Sequence, residues 1–332
     1  MSRDYFKVAT FNLYNLALAG EQYYNRTYHE DVYSKKLQWQ GEQLCDMNAD
    51  IVGFQEIFHA AALQELVAET GIYQGASVRM GQRKGRSPAV GLVSRFPVHS
   101  YEDIPDFPKA AQLEIDGLDI PLTQFSRPVL KATLELRPGV NVIVFVVHMK
   151  SKRPKIAEGA DPHDPRERAL GHARSLMIRA AETTALRHLL LDTLEGTDYP
   201  AIVMGDFNDD GGAVTSKIVT GSPPWRKLPM EVKREVWDVL LYNVKDIQAR
   251  QSYRDVYFTH IHNGHYDSLD HILVSQEFVR ENPRRLGYVE YVRVFNDHLI
   301  DETLSDEKIP YWKSDHGQAV VTIQLDEQRH KH

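Results

Sequence analysis

Carboxylates, carboxamides and imidazoles recur at the ends of apolar runs in this sequence. VATFN ends at Asn12, ADIVGFQE at Glu56, VIVFVVH at His148, and AIVMGDFN at Asp206 and Asn208. Two further groups precede apolar runs: Asp270 in SLDHILVS, and Asp315 with His316 before the last such run. Polar side chains at strand ends can converge on one crevice while the strands hold them rigidly. Asn, Asp and Glu oxygens are hard ligands that suit Mg²⁺ or Mn²⁺ better than a softer metal, which makes Asn12, Glu56 and Asp315 candidate ligands. A cation so held can neutralise a phosphoryl oxygen and the charge developing on a leaving oxygen. Asp206 has Asn208 two residues on, hence on the same face of an extended segment, and is the candidate to orient or deprotonate an attacking water. His148 and His316 can donate hydrogen bonds to a phosphate or a proton to the leaving group, with Asp270 as candidate partner of His316. Singly, each has an ordinary structural reading. The acid after AIVMG is the stronger signal, because burying it without partners is costly. Their joint occurrence points to metal-assisted hydrolysis of a phosphate ester.

Basic clusters bear on the substrate. Arg79, Arg83, Lys84 and Arg86 lie on what reads as a hairpin loop, and Lys150, Lys152, Arg153 and Lys155 directly follow His148. Charge runs are commonly just solvated faces. A run issuing from a catalytic strand is better placed to meet substrate, so Lys150 and Lys152 are candidate phosphate contacts. Arg127, in SRPVL, reads equally well as a substrate-side arginine or as half of a structural ion pair.

The elements that must carry these groups are short apolar runs rich in β-branched residues: Phe6–Phe11, Ile51–Phe54, Ala89–Val93, Lys131–Leu136, Val140–Val147, Ala201–Met204, Ile272–Val274 and Gln318–Ile323. Each has the length of a buried strand. The clearest helical pattern is Pro165–Leu194, where Leu170, Ala173, Met177, Ala180, Ala181 and Thr184 recur at helical spacing behind an Asp164–Pro165 start. Lys35–Met47, Ala60–Glu69 and Pro229–Leu241 read as further helices. Strands outnumber helices and often adjoin, which suits two stacked, mainly antiparallel sheets with helices outside.

With 332 residues, 42% apolar and 26% charged, the chain can bury a sizeable core. No Pro/Ser- or Gly/Ser-rich linker divides it, and its polar motifs run from residue 12 to residue 316, so one domain over 1–332 is expected. Residues 21–39 stand out, with Tyr23, Tyr24, Tyr28, Tyr33 and Trp39 among charges. They read either as a surface excursion tacked down by aromatics or as a substrate-facing wall. The net charge of −7 gives no whole-protein attraction to polyanions. Cys45 is the sole cysteine, which excludes an intramolecular disulfide and a multi-thiolate zinc site. No apolar run approaches the ~20 residues of a membrane span, and MSRDYFKVATFNL lacks a hydrophobic signal segment. A cytoplasmic protein without stable membrane insertion is the expectation.

At TFN, GFQEIF, LVSRFPV, HMKSK, GDFND, LDHILVS and SDH the sequence resembles the endonuclease/exonuclease/phosphatase superfamily, in the family's order and over nearly the whole chain. The resemblance implies a four-layered α/β sandwich and a Mg²⁺- or Mn²⁺-dependent phosphoesterase. It places Asn12 and Glu56 on the family's metal-binding positions, Asp206 and Asn208 on its catalytic Asp-x-Asn, Asp270 on the acid that orients the last histidine, and Asp315 with His316 on the closing metal and catalytic pair. His148 makes the chain look more like the DNase I, sphingomyelinase and 5-phosphatase branches than the abasic-site endonucleases. HMKSK looks like bacterial nuclease-like members, in which a helix with R-x-x-[QE] follows; Arg179 and Glu182 fit that pattern. The stretch from Asn12 to Glu56 is longer than in compact members, so 21–39 looks inserted, and neither GDFND nor SDH is followed by the proline often found there. Three functions follow as expectations: foremost a nuclease with nucleic acid as substrate; then a phosphatase or lipid phosphodiesterase; and, of another class, a non-catalytic interaction module.

Overall fold

The computed structural model describes residues 4–252 and 257–327. In chain order its strands are β1 (Tyr5–Leu16), β2 (Ile51–Ile57), β3 (Ser77–Met80), β4 (Ala89–Ser94), β5 (Val98–Asp106), β6 (Glu114–Ile115), β7 (Leu118–Asp119), β8 (Gln124–Arg137), β9 (Val140–His148), β10 (Ala201–Asp206), β11 (Leu241–Asn243), β12 (His260–His262), β13 (His265–Asp267), β14 (Asp270–Ser275), β15 (Gly287–Phe295) and β16 (Gln318–Leu325). The helices are α1 (Glu30–Met47), α2 (Ala60–Glu69), α3 (Pro165–Leu194), α4 (Val214–Thr220), α5 (Met230–Asp238) and α6 (Val244–Gln251). Twelve strands form two six-stranded sheets, ordered β15-β16-β1-β2-β4-β3 and β11-β14-β10-β9-β8-β5. Antiparallel pairing dominates, with one parallel pair in each sheet, β1–β2 and β9–β10.

Burial on both faces explains why the central strands read as near-continuous apolar runs. Phe6 and Val8 of β1 face inward with Ile51, Leu92, Val144, Met204 and Ile272 of both sheets, while Phe11 and Leu13 join Leu37 and Leu44 of α1 and Leu63 and Leu66 of α2 outside. Phe145 and Val203 on the other outer face meet Leu186 and Leu190 of α3. The result is helix, sheet, sheet, helix, the four-layered sandwich that the resemblance implies. The sheets pack so closely that a Cβ on Gly53 would stand 2.6 Å from the Met204 side chain.

Every strand expected from the sequence lies within an observed one. α3 begins as expected, with Asp164 accepting from the Arg166 N–H ahead of Pro165. Its apolar stripe is split, with Ala181 buried. Leu170 and Met177 are 55% and 49% exposed, while Glu167, Ser175, Arg179 and Glu182 are buried. The N-terminal part of the helix turns polar side chains to the protein, where loop groups satisfy them, while Ala185, Leu186, Leu190 and Leu194 of its C-terminal part enter the core. Residues 30–39 are the first turns of α1, and Tyr23, Tyr28, Tyr33 and Trp39 are core residues. Among the described residues no helix is long and apolar enough to cross a membrane.

Candidate active site

The two parallel pairs determine where the chemistry collects. Adjacent parallel strands end on the same edge, and antiparallel neighbours begin there. In register, Asp206 at the end of β10 pairs with His148 at the end of β9 on one side and with Asp270 at the start of β14 on the other. In the facing sheet, Asn12 of β1 pairs with Gln55 of β2, next to Glu56. Asp315 and His316 immediately precede β16, the other neighbour of β1. Gly205 makes the approach to Asp206 possible: its φ is 149°, and a Cβ there would run into the Val147 carbonyl.

Asp206 is the hub. Its Oδ1 accepts the Asn208 N–H at 2.8 Å, and its Oδ2 accepts from Asn12 Nδ2 at 3.3 Å. The same Oδ2 lies 3.4 Å from His148 Nε2 and 4.0 Å from His316 Nε2. Burial pushes the Asp206 carboxyl up against the pull of the His316 charge, and Asp270 adds to the rise. The imidazoles diverge. Burial disfavours charge on His316, but Asp270, bonded to its Nδ1 at 2.8 Å, together with Asp206 and Asp315, outweighs burial and holds the ring well above the usual histidine range. Burial and the charges of Arg127 and His316 hold His148 well below it. The surroundings thus favour the charged form of His316, whose Nε2 faces Asp206, and the neutral form of His148.

On the side of the first sheet the backbone is strained. Tyr14, Asn15 and Glu56 all have left-handed φ, at 48°, 62° and 63°, where β1 and β2 slip register between Asn12 and Leu16. Side chains from α1 and its preceding loop hold this bulge: Lys36 Nζ donates to Tyr14 O at 2.8 Å, Gln40 Nε2 to Leu13 O at 2.7 Å and Tyr28 Oη to Asn15 O at 3.0 Å. Lys36 and Gln40 are fully buried. Burial pushes the Lys36 ammonium down to about 7, against the opposing pull of Glu56 and Asp315.

The residues fit a hard divalent cation. Among the described residues, Glu56 Oε2 and Asp315 Oδ1 are buried without a hydrogen-bond partner. Burial and the Asp315 charge push the Glu56 carboxyl up, a conflict that a cation between the two acids would relieve. Asn12 Oδ1, which accepts the Tyr14 N–H at 3.0 Å, has a second lone pair to offer.

Sequence reasoning missed the groups that tie the two sides together. Ser314 Oγ donates to Asn12 O at 2.7 Å and accepts the His316 N–H at 3.0 Å. Thr259 Oγ1 accepts the Asp270 N–H at 3.1 Å, and the His260 ring lies 4.9 Å from that of His316. The serine in SDH was the one available signal. Arg179 and Glu182 form a brace: Arg179 Nε donates to Asp209 at 2.7 Å, and Glu182 accepts the N–H groups of Ser126 and Lys150 at 2.8 and 2.7 Å. The Met149 carbonyl, just after β9, accepts from both Asn208 Nδ2 at 3.1 Å and Arg127 Nη1 at 3.3 Å. Among the described residues no carboxylate pairs with Arg127. Lys150 Nζ is bonded within its own loop to Ser151 and Arg153. Lys152 Nζ lies between Asp209 at 3.7 Å and Asp267 at 3.4 Å.

No curated protein matches the chain by sequence. Solved structures match its fold: humanized D. rerio TDP2 (16% identity, 97% of this chain and 99% of that one, TM-score 0.57) and the human Nocturnin catalytic domain with bound sulfate (18%, 97% and 94%, 0.56). So does a mannosyl-6-phosphatase from Bacteroides thetaiotaomicron (16%, 96% and 99%, 0.55). The Endonuclease/Exonuclease/phosphatase family matches residues 9–316, a span that begins just before Asn12 and ends on His316. The chain belongs to that family, whose members are hydrolases of phosphate esters.

Proposed function

We propose that the protein is a Mg²⁺- or Mn²⁺-dependent phosphodiesterase that cleaves nucleic-acid phosphodiester bonds by in-line attack of water. The observation that carries the proposal is Asp206 Oδ2, reached by Asn12 from one sheet and His148 from the other, with His316 close by. A cation held by Asn12, Glu56 and Asp315 would supply charge neutralisation at the phosphoryl and leaving oxygens. Asp206 orients the water and takes its proton, a role favoured by its raised proton affinity. Asn208, fixed through Met149 O, directs its carboxamide beside it. The His316 imidazolium, held by Asp270, donates Nε2–H to the charge that builds on phosphorus-bound oxygen. His148 fixes the Asp206 carboxylate, and Arg127 and Lys152 contact substrate phosphates. The site draws on Asn12 and on His316, which supports a single catalytic unit over the chain, and Cys45 as sole cysteine suits a cytoplasmic location.

A phosphatase or lipid phosphodiesterase is the second reading. It is favoured by the internal bonding of Lys150 and the acidic neighbours of Lys152, which leave fewer cations for a polyanion. A substrate panel with Mg²⁺ or Mn²⁺ separates the two: plasmid, single-stranded DNA, RNA, an inositol polyphosphate and sphingomyelin. Cleavage of the nucleic acids, abolished by EDTA and restored by metal, is expected. Activity confined to the last two overturns the nuclease reading.

A further inference from the structure

The loop from Ala17 to His29 is anchored at several points and carries one unusual residue at its tip. Its base is fixed by Leu18 N–H to His59 Nδ1 at 3.1 Å and Gly20 N–H to Tyr28 O at 2.9 Å. Tyr23 and Tyr28 are buried and stacked, with centroids 4.5 Å apart. Between them the chain reverses tightly, Tyr23 and Arg26 exchanging both backbone hydrogen bonds at 2.9 Å. Tyr24 occupies the reversal at φ 50°, a conformation that favours Gly, Asn or Asp, yet its side chain is 46% exposed. The turn thus holds an aromatic with nearly half of its surface open to solvent at a strained backbone position.

The surroundings of Tyr24 indicate a ligand. Its ring meets Phe58 edge-on at 5.0 Å, just beyond β2 and Glu56, and Arg83 covers the Phe58 face at 5.1 Å. The Tyr24 hydroxyl is partly buried and lies within electrostatic reach of Glu56, Arg127 and Arg153. Arg127 is bonded to the same Met149 carbonyl that fixes Asn208, so the tyrosine stands next to the catalytic end of the second sheet. An exposed aromatic that packs on Phe58 beneath Arg83, with Arg127, which lacks a carboxylate partner among the described residues, in electrostatic reach, suits a base joined to a phosphate.

We propose that Tyr24, presented by this turn beside Arg127, is a base-stacking subsite for the nucleotide adjoining the scissile phosphate. The inference rests on the phosphodiesterase reading above and deepens it by making the base a determinant of binding. The test compares KM and kcat for a single-stranded DNA oligonucleotide with those for the same backbone carrying abasic tetrahydrofuran residues, in wild type, Tyr24→Phe and Tyr24→Ala. Wild type should bind the base-bearing oligonucleotide about tenfold more tightly by KM, as expected for one stacked base. Tyr24→Phe should keep most of that ratio, and Tyr24→Ala should collapse it toward one. Wild type that cleaves both oligonucleotides with equal KM overturns the subsite alone. So does Tyr24→Ala that lowers kcat on both substrates without changing the ratio, because it marks Tyr24 as only a prop for Arg127. Wild type that cleaves neither oligonucleotide but hydrolyses an inositol phosphate overturns the nuclease reading and the subsite together.

Discussion

On the side of the second sheet, the polar groups of the site are largely satisfied by one another. Asp206 accepts from Asn208 and Asn12, Asp270 holds His316, and Asn208 is tied to Met149 O. On the side of the first sheet, Glu56 Oε2 and Asp315 Oδ1 are buried without partners among the described residues, and the backbone around Asn12 and Glu56 is left-handed at Tyr14, Asn15 and Glu56. One side is tied together internally around Asp206, although His148 Nδ1 and Asp270 Oδ1 are also buried without a hydrogen-bond partner among the described residues. The other holds its carboxylates at a cost that a divalent cation would offset. The contrast separates the two roles of the site, and each variant below tests one side or the brace between them.

Asp206→Asn should lower turnover by about 10³-fold or more, because the group that orients and deprotonates water is lost. Its far-UV circular dichroism and thermal midpoint should stay close to wild type. Arg179→Met should cost about 3 kcal/mol in urea unfolding, since it removes the 2.7 Å partner of the buried Asp209 and leaves it Thr215 Oγ1 and the more distant Lys152. Glu56→Gln should weaken Mn²⁺ binding about tenfold or more by calorimetry. Without metal it should unfold no earlier than wild type, because a carboxyl whose proton affinity is raised by folding costs stability when ionised. Ser314→Ala strands the buried His316 N–H and should cost about 1–3 kcal/mol, with a smaller loss of activity than Asp206→Asn.

A pH effect is the smallest. Burial pushes His298 down to about 4, and His298 is bonded to the His316 carbonyl at 3.0 Å. In the unfolded chain a histidine titrates near ~6.5. As pH falls through the window from there to about 4, the unfolded chain takes up a proton that the folded one refuses, so stability falls. His298→Gln should flatten that acid limb in urea midpoints measured across the window.

Much of this site was legible because strand ends announce themselves: an apolar run that stops at Asn12, Glu56, His148 or Asp206 marks both the element and its exit point. The elements missed were those without such a run. β15 and β5 mix apolar residues with exposed charges, as in GYVEYVRVF and VHSYEDIPD, and each is an edge strand of its sheet. α3 shows a different limit: its i, i+3, i+4 stripe marks the helix, but the stripe does not lie on one buried face, with Ala181 inside and Leu170 and Met177 exposed. Periodicity records which residues share a face; only the partners Asp209, Ser126 and Lys150 determine that Arg179 and Glu182 go inside. Lys36 and Gln40 were invisible for the same reason, because their value lies in two carbonyls of a bulge that the sequence does not reveal.

The division of labour between the two sides is tested most directly by measuring Mn²⁺ binding calorimetrically in wild type, Glu56→Gln and His148→Gln, alongside turnover of a phosphodiester. Glu56→Gln should lose metal affinity and activity together, whereas His148→Gln, on the side of the second sheet, should keep its metal affinity and lose turnover. Equal loss of Mn²⁺ binding in both variants, or Glu56→Gln that binds Mn²⁺ as wild type does, would contradict the account.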